Sequence, residues 1–184
     1  MKFEFTAPIV SETKEKQKFI RGTLVSEGLS RNKNYYTFES LRSIAQTSVG
    51  KLLYFGVDPK SHRHIEKEPI GRITATWFSK RLRRVFFKAL ITDKQIAETV
   101  QTGWGVSIKG LVRKGKYLLD SFGKMILKIG DLLIQSVQLI DPTVKTGVSS
   151  AKVEQIVEET MSFTSPRNRL LTLSEIIAIA ESVD

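Results

Sequence analysis

The sequence predicts an α+β protein that is mainly β: a small closed or bent β-barrel with a few helices around it. Three observations predict it. Short runs rich in β-branched and aromatic residues recur along the chain, each bounded by Gly, Asn, Ser or Pro. Only two stretches inside the first 150 residues have helical spacing behind a capping residue. The length of 184 residues suits one domain with a real core and is too short for two large ones.

Taken in order, Phe19-Ile-Arg-Gly-Thr-Leu-Val alternates loosely and ends at Ser26-Glu-Gly, and Ser30-Arg-Asn-Lys-Asn is a loop rich in turn formers. Thr37 is placed to cap a helix whose Phe38, Leu41, Ile44 and Ala45 share a face, with Gly50 as its stop. Lys51-Leu-Leu-Tyr-Phe begins a strand, followed by a polar loop from Asp58 to Pro69. Ile70–Phe78 and Arg84–Ile91 form an antiparallel pair across the basic connection Ser79-Lys-Arg-Leu-Arg. Asp93 is placed to cap a helix through Ile96, Ala97 and Val100, stopped at Gly103. Gly105–Arg113, Met125–Ile129 and Leu132–Ile140 then form three β runs, and Asp141-Pro142 closes the last.

Beyond residue 150 the pattern is expected to change. Lys152–Met161 is expected as a short acidic helix, Ser162–Arg169 as a polar linker around Pro166, and Thr172–Val183 as a second helix behind the capping box Thr172-Leu-Ser-Glu175. The expected organisation is a domain over residues 1–150 and an acidic helical tail over 151–184.

Charge follows the same division. The chain carries +10 overall; residues 151–184 hold three cations against six anions, so the preceding body is strongly basic. Such a body attracts nucleic acid or an acidic protein partner, and a solvated basic surface accounts for it equally well. There is no cysteine, which removes disulfide and thiolate chemistry and fits a reducing compartment. No apolar run approaches the ~20 residues of a membrane helix. The first residues, Met1-Lys-Phe-Glu-Phe, do not read as a signal peptide.

Two stretches hold residues that chemistry would need. His62 and His64 are the only histidines, in the loop before Pro69-Ile-Gly-Arg-Ile. Without cysteine or spaced acids they make a poor metal site, since zinc takes three or four protein ligands; no metal or other cofactor is expected. Histidine is the usual general base near neutral pH, and a pair of exposed loop histidines is the bland alternative. The second stretch is Gly103-Trp-Gly-Val-Ser-Ile-Lys-Gly110. Glycines allow a sharply held backbone and close approach of a substrate, as a serine nucleophile needs, while Val106 and Ile108 fall on the face opposite Ser107. It is not the Gly-x-Ser-x-Gly elbow of the α/β-hydrolases, and a glycine-punctuated core strand gives the same letters.

Four blocks in order, from about Phe19 to Ser150, resemble the prohead proteases of tailed bacteriophages, relatives in fold of the herpesvirus assemblins. They are Ser30-Arg-Asn-Lys-Asn-Tyr-Tyr; Pro69-Ile-Gly-Arg-Ile with a histidine before it; Ile96–Gly110 with Thr-Gly-Trp and then Gly-Val-Ser; and Leu132–Pro142. The resemblance implies a capsid-maturation serine endopeptidase that cleaves scaffold and major capsid proteins inside the assembling procapsid in the host cytoplasm, and often itself. It implies Ser107 as nucleophile and His64 as base with His62 as alternative. Lys109 and Gly110 fall on the substrate and oxyanion side. It also implies a homo-oligomer, a dimer in the assemblins, with no membrane and no requirement for nucleic acid.

The sequence departs from the family at the third catalytic position. Where the family has an acid or histidine on the closing strand, this chain has Gln135-Ser136. Asp141 and Asp131 lie five residues away on either side, on the opposite strand face unless a bulge or the Pro142 turn redirects them. The role is left open among Asp141, a polar Gln135 or Ser136, and a dyad with no orienter. Two rivals stand beside the protease. One is a basic nucleic-acid-binding barrel using Arg81, Arg83 and Arg84 among Trp77, Phe78, Phe86 and Phe87. The other is an inactive procapsid relative.

Overall fold

A computed structural model of the protein describes residues 6–58, 61, 63–143 and 150–170. The chain divides into two compact units, Gln17–Glu159 and, separately, Met1–Lys16 with Thr160–Asp184. The described residues of the smaller unit are all strand, the outer parts of β1 (Thr6–Ser26) and β9 (Lys152–Leu170). The larger unit holds the other elements: β2 (Gly28–Leu29), β3 (Asn34–Tyr36), α1 (Phe38–Ser48), β4 (Leu52–Phe55), β5 (Gly71–Ser79), β6 (Arg84–Ile91), α2 (Lys94–Thr99), β7 (Gly105–Leu119) and β8 (Met125–Ile140).

Among the described residues nine strands follow the order β2-β3-β8-β4-β5-β6-β1-β9-β7, and β7 also pairs with β8, so the sheet is ring-like. This is the mainly β, α+β class that the residue pattern predicts. Along β6 the even alternation of Val85, Phe87, Ala89 and Ile91 turns one face inward. Those side chains meet Ile20, Leu24, Ile73, Val106, Ile134, Val137 and Leu139 in one core.

Both internal helices are capped where the sequence places caps. Thr37 Oγ1 accepts from Ser40 N at 3.2 Å and donates to Ile129 O at 2.9 Å. Asp93 Oδ1 accepts from Ile96 N at 2.8 Å. Helix α1 buries Leu41 and Ile44, and its polar face has a structural duty. Strand β8 pairs in parallel with β3 over Leu127–Ile129 and with β4 over Val137–Leu139, leaving the stretch between without a strand on that edge. Ser43 and Thr47 of α1 fill the gap: Leu132 N donates to Ser43 Oγ at 3.1 Å and Ile134 N to Thr47 Oγ1 at 3.2 Å. Buried N–H groups are thereby satisfied.

Two expectations are corrected. The separate runs Met125–Ile129 and Leu132–Ile140 are one strand, and β7 runs on to Leu119 to make a long hairpin with it. Irregularities in the register near Lys109/Gly110 and around Lys114 take up extra residues, so Gly130-Asp131 does not break the strand. The second correction concerns Lys152–Met161, which is strand β9 and not helix. Ala151 and Val153 are buried at a spacing of two, not at helical spacing. Gly22 makes the close fit possible: a Cβ there would lie 2.0 Å from Lys152 O. The acids that suggested a solvated helix meet basic strands instead. Glu159 takes Lys88 Nζ at 2.6 Å and Arg21 at 3.3 Å, and Glu154 accepts from Thr23 Oγ1 at 2.8 Å. Residues 151–159 therefore belong to the larger unit rather than to a tail that begins at 151. The helix expected over Thr172–Val183 lies outside the described residues.

Candidate active site

The site is built where β7 and β8 pair. Their register sets Ser107 opposite Gln138 and Lys109 opposite Ser136, with Val106 opposite Leu139 and Ile108 opposite Val137. Since side chains alternate across a sheet, Ser107, Lys109, Ser136 and Gln138 share one face, while Val106, Val137 and Leu139 enter the core on the other. Alternation thus makes a small polar patch on an otherwise apolar hairpin base.

The histidine arrives from the neighbouring strand. Strand β4 runs parallel to β8 with Tyr54 beside Gln138. At its end Gly56 turns at φ +88°, a conformation that L side chains rarely adopt. Val57 and His64 then form an antiparallel bridge. Asp58 N donates to Arg63 O at 2.9 Å, and Ile65 N to Gly56 O at 3.3 Å. This narrow loop lays His64 over the polar patch. Its Nε2 lies 2.9 Å from Ser107 Oγ, hydrogen-bond distance for a proton transfer.

Glu66, two residues on, also reaches the patch. Its carboxylate accepts from Ser136 Oγ and from Lys109 Nζ, the latter at 2.7 Å. The Lys109 and Ser136 hydrogen bonds hold the Glu66 carboxyl below its usual range. Burial pushes His64 below the ordinary imidazole value; the Glu66 carboxylate partly opposes this and the Lys109 ammonium adds to it. A neutral imidazole can accept a proton from Ser107 at neutral pH.

Gln138 is fully buried, and its Nε2 donates to Ile65 O at 3.2 Å, which pins the residue after His64. His64 Nδ1 and Gln138 Oε1 are each buried without a hydrogen-bond partner. Next to the dyad lies an open cleft of about 450 Å³, bordered by Asn34, Tyr36, Arg63, His64, Lys109 and Gly110.

Of the residues singled out from sequence, Ser107, His64, Lys109 and Gly110 come together here. Lys109 is held by Glu66 rather than pointing free, and Gly110 packs closely, with a Cβ there 2.8 Å from Leu133 O. His62 lies outside the described residues. Asp141 is engaged elsewhere: its Oδ1 accepts from Thr143 N at 2.8 Å and from Thr143 Oγ1 at 2.7 Å, closing the turn after β8. Asp131 pairs with Arg113 at 2.9 Å. Gln135 is exposed, and Ser136 binds Glu66 rather than a histidine. Glu66 and Gln138 are the residues that sequence reading missed. The alternation Ser136-Val-Gln-Leu139, read against Val106-Ser-Ile-Lys109, carried the signal for Gln138, but it becomes readable only with the register.

The aromatic and arginine cluster is divided among tasks. Phe87 is core, Phe78 packs edge-on to Phe38 at 5.0 Å, and Arg83 pairs with Glu27 at 2.7 Å. What remains at the surface is Trp77 stacked on Phe86, together with the exposed Arg81 and the half-buried Arg84. Among the described residues no three His, Asp or Glu side chains gather as a metal site, and no helix is long and apolar enough to cross a membrane. Against protein-family models, curated proteins and solved structures the chain finds no match.

Proposed function

We propose that this chain is a serine endopeptidase that processes scaffold and major capsid proteins inside an assembling tailed-phage procapsid, with an assemblin-like barrel as its fold. The hydrolase part rests on one observation, the 2.9 Å contact between His64 Nε2 and Ser107 Oγ at the edge of an open cleft. The capsid part rests on the four ordered sequence blocks. A ring-like sheet with the histidine loop after β4 and the serine on β7 is compatible with both.

In the proposed reaction Ser107 gives its proton to His64 Nε2 as Oγ attacks the scissile carbonyl. The imidazolium then returns that proton to the leaving amine as the C–N bond breaks, and water, deprotonated by the same nitrogen, releases the acyl group. Burial of His64 favours its neutral form and so keeps it ready to act as base. Lys109 and Gly110 border the cleft on the substrate side.

The test is co-expression of the wild type and Ser107→Ala with the scaffold and capsid proteins, read by intact mass. Processing by the wild type alone is expected, together with labelling of Ser107 by a fluorophosphonate. Equal processing by Ser107→Ala removes the proposal. A wild type that neither processes nor labels leaves the inactive procapsid relative, a reading favoured by the lack of a carboxylate on His64 Nδ1.

A further inference from the structure

The outer face of the β5–β6 hairpin carries a charged and aromatic feature that the proposed reaction does not use. Register sets Arg72 opposite Leu90, Ala75 opposite Lys88, Trp77 opposite Phe86 and Ser79 opposite Arg84. Val85, Phe87, Ala89 and Ile91 enter the core, so Arg84, Phe86, Lys88 and Leu90 face outward, and the residues opposite them share that face. From Arg84 to Arg72 the face runs about 20 Å by the rise of a strand, with the aromatic rung between cations. Trp77 stacks on Phe86 with ring centroids 5.7 Å apart at 18°, and it is still 46% exposed.

The charges around this rung are uncompensated. Arg72 is exposed, Lys80 and Arg81 are exposed in the turn at the end of the hairpin, and Arg84 is half-buried. None of the four forms an ion pair among the described residues. The acids of the adjoining strands and turn are already engaged: Glu27 by Arg83, Glu159 by Lys88 and Arg21, and Glu154 by Thr23 Oγ1. Four cations are therefore left around one flat aromatic pair. Charge complementarity calls for an anionic occupant. The rings narrow the choice: nucleic-acid bases stack on aromatic and guanidinium planes while their phosphates meet cations. An acidic peptide would use the charges and gain little from the rings. A duplex keeps the faces of its bases stacked on one another, so the strand must be single.

We propose that the outer face of the β5–β6 hairpin binds single-stranded nucleic acid, with a base stacked on Trp77 and phosphates held by Arg72, Lys80, Arg81 and Arg84. None of these residues borders the cleft beside Ser107 and His64, so the inference stands apart from the hydrolase reading.

The experiment uses the full chain carrying Ser107→Ala, so that self-cleavage does not enter. Fluorescence anisotropy reads the binding of a labelled oligo-thymidylate of about twelve nucleotides, within the ~4–16 that one such platform covers, over a range of salt. An oligo-uridylate of the same length, a duplex and poly-glutamate are the comparison ligands. Both single strands are expected to bind more tightly than the duplex or poly-glutamate, and their ratio tells DNA from RNA preference. Binding is expected to quench indole emission, which reports on Trp77 because Trp104, the other tryptophan, is only 8% exposed. Trp77→Leu keeps an apolar side chain against Phe86 and is expected to weaken binding about fivefold to a hundredfold. Arg81→Gln and Arg84→Gln are each expected to weaken binding and to lower the slope of log K against log salt by about 0.7. Lys116→Gln, an equal loss of charge at an exposed position of β7, is expected to leave both unchanged.

An equal effect of Lys116→Gln and Arg84→Gln would mean general attraction to a basic chain. Duplex or poly-glutamate bound as tightly as the single strands would mean that charge alone is read. Either result overturns the proposal, as does binding that leaves indole emission unchanged, or no binding at low salt. Failure of the wild type to label at Ser107 bears on the hydrolase reading alone.

Discussion

Gly71 offers a sharp quantitative test, because the block Pro69-Ile-Gly-Arg-Ile does its work through this residue's missing side chain. Gly71 opens β5, between Leu53 of β4 and Ile91 of β6. An added Cβ would lie 2.0 Å from the backbone oxygen of Leu90 and 3.1 Å from its carbon. No flexible side chain is there to yield, so β5 and β6 must part by about 1 Å, enough to strain the ladder bonds at the point where the histidine loop rejoins the sheet. Overpacking costs about 1–3 kcal/mol, and each weakened backbone bond adds about 0.5–1.5 kcal/mol. Gly71→Ala should therefore destabilise by about 2–4 kcal/mol, which for a chain of this size lowers Tm by roughly 5–15 °C.

The control is Gly130→Ala in β8, where the nearest atom to a new Cβ is 3.6 Å away, an ordinary contact. There the lost freedom of the unfolded chain should leave stability equal or raised by about 0.4–1 kcal/mol. Urea and thermal denaturation of the three proteins read the difference. The bond from Ile70 N to Leu53 O, 2.8 Å, ties the loop exit to β4, so Ser107 labelling should fall in Gly71→Ala even where it is fully folded. A Gly71→Ala midpoint equal to that of the wild type would refute the packing argument.

Three other outcomes follow from the site. Labelling of Ser107 should rise with pH through a His64 pKa below the ordinary value of about 6.5 and level off towards neutrality, because burial disfavours the imidazolium. Between the folded and unfolded values the unfolded chain binds the extra proton, so His64 lowers stability as pH falls through that window and has no such effect above it. Glu66→Gln removes the carboxylate that raises His64 and should move the acid limb to lower pH; Lys109→Met removes a cation and frees Glu66, and should move it higher, with pH–rate profiles as the readout. Asp141→Asn should cost at most about 1 kcal/mol through the turn at Thr143 and leave the labelling rate unchanged; a large rate loss would return Asp141 to the site.

The amino-acid sequence by itself determined the local features. Both internal helices and their caps, the β5–β6 hairpin and the mainly β class follow from side-chain period and capping chemistry, which depend on neighbours a few residues apart. Ser107 and the pair His62 and His64 also stood out from their residue types and surroundings, while the preference for His64 came from the family resemblance. The fate of 151–161 was not legible, because strand β9 forms only where Gly22 leaves room and where Lys88, Arg21 and Thr23 receive its acids, Lys88 from 71 residues away and the others from more than a hundred. Nor was Gln138, since bulges and extra residues along the β7–β8 hairpin decide which polar side chain faces Ser107. Register is a property of two strands together, and a shift of one residue exchanges the core face for the site face. Tertiary pairing alone therefore decided which groups surround the imidazole.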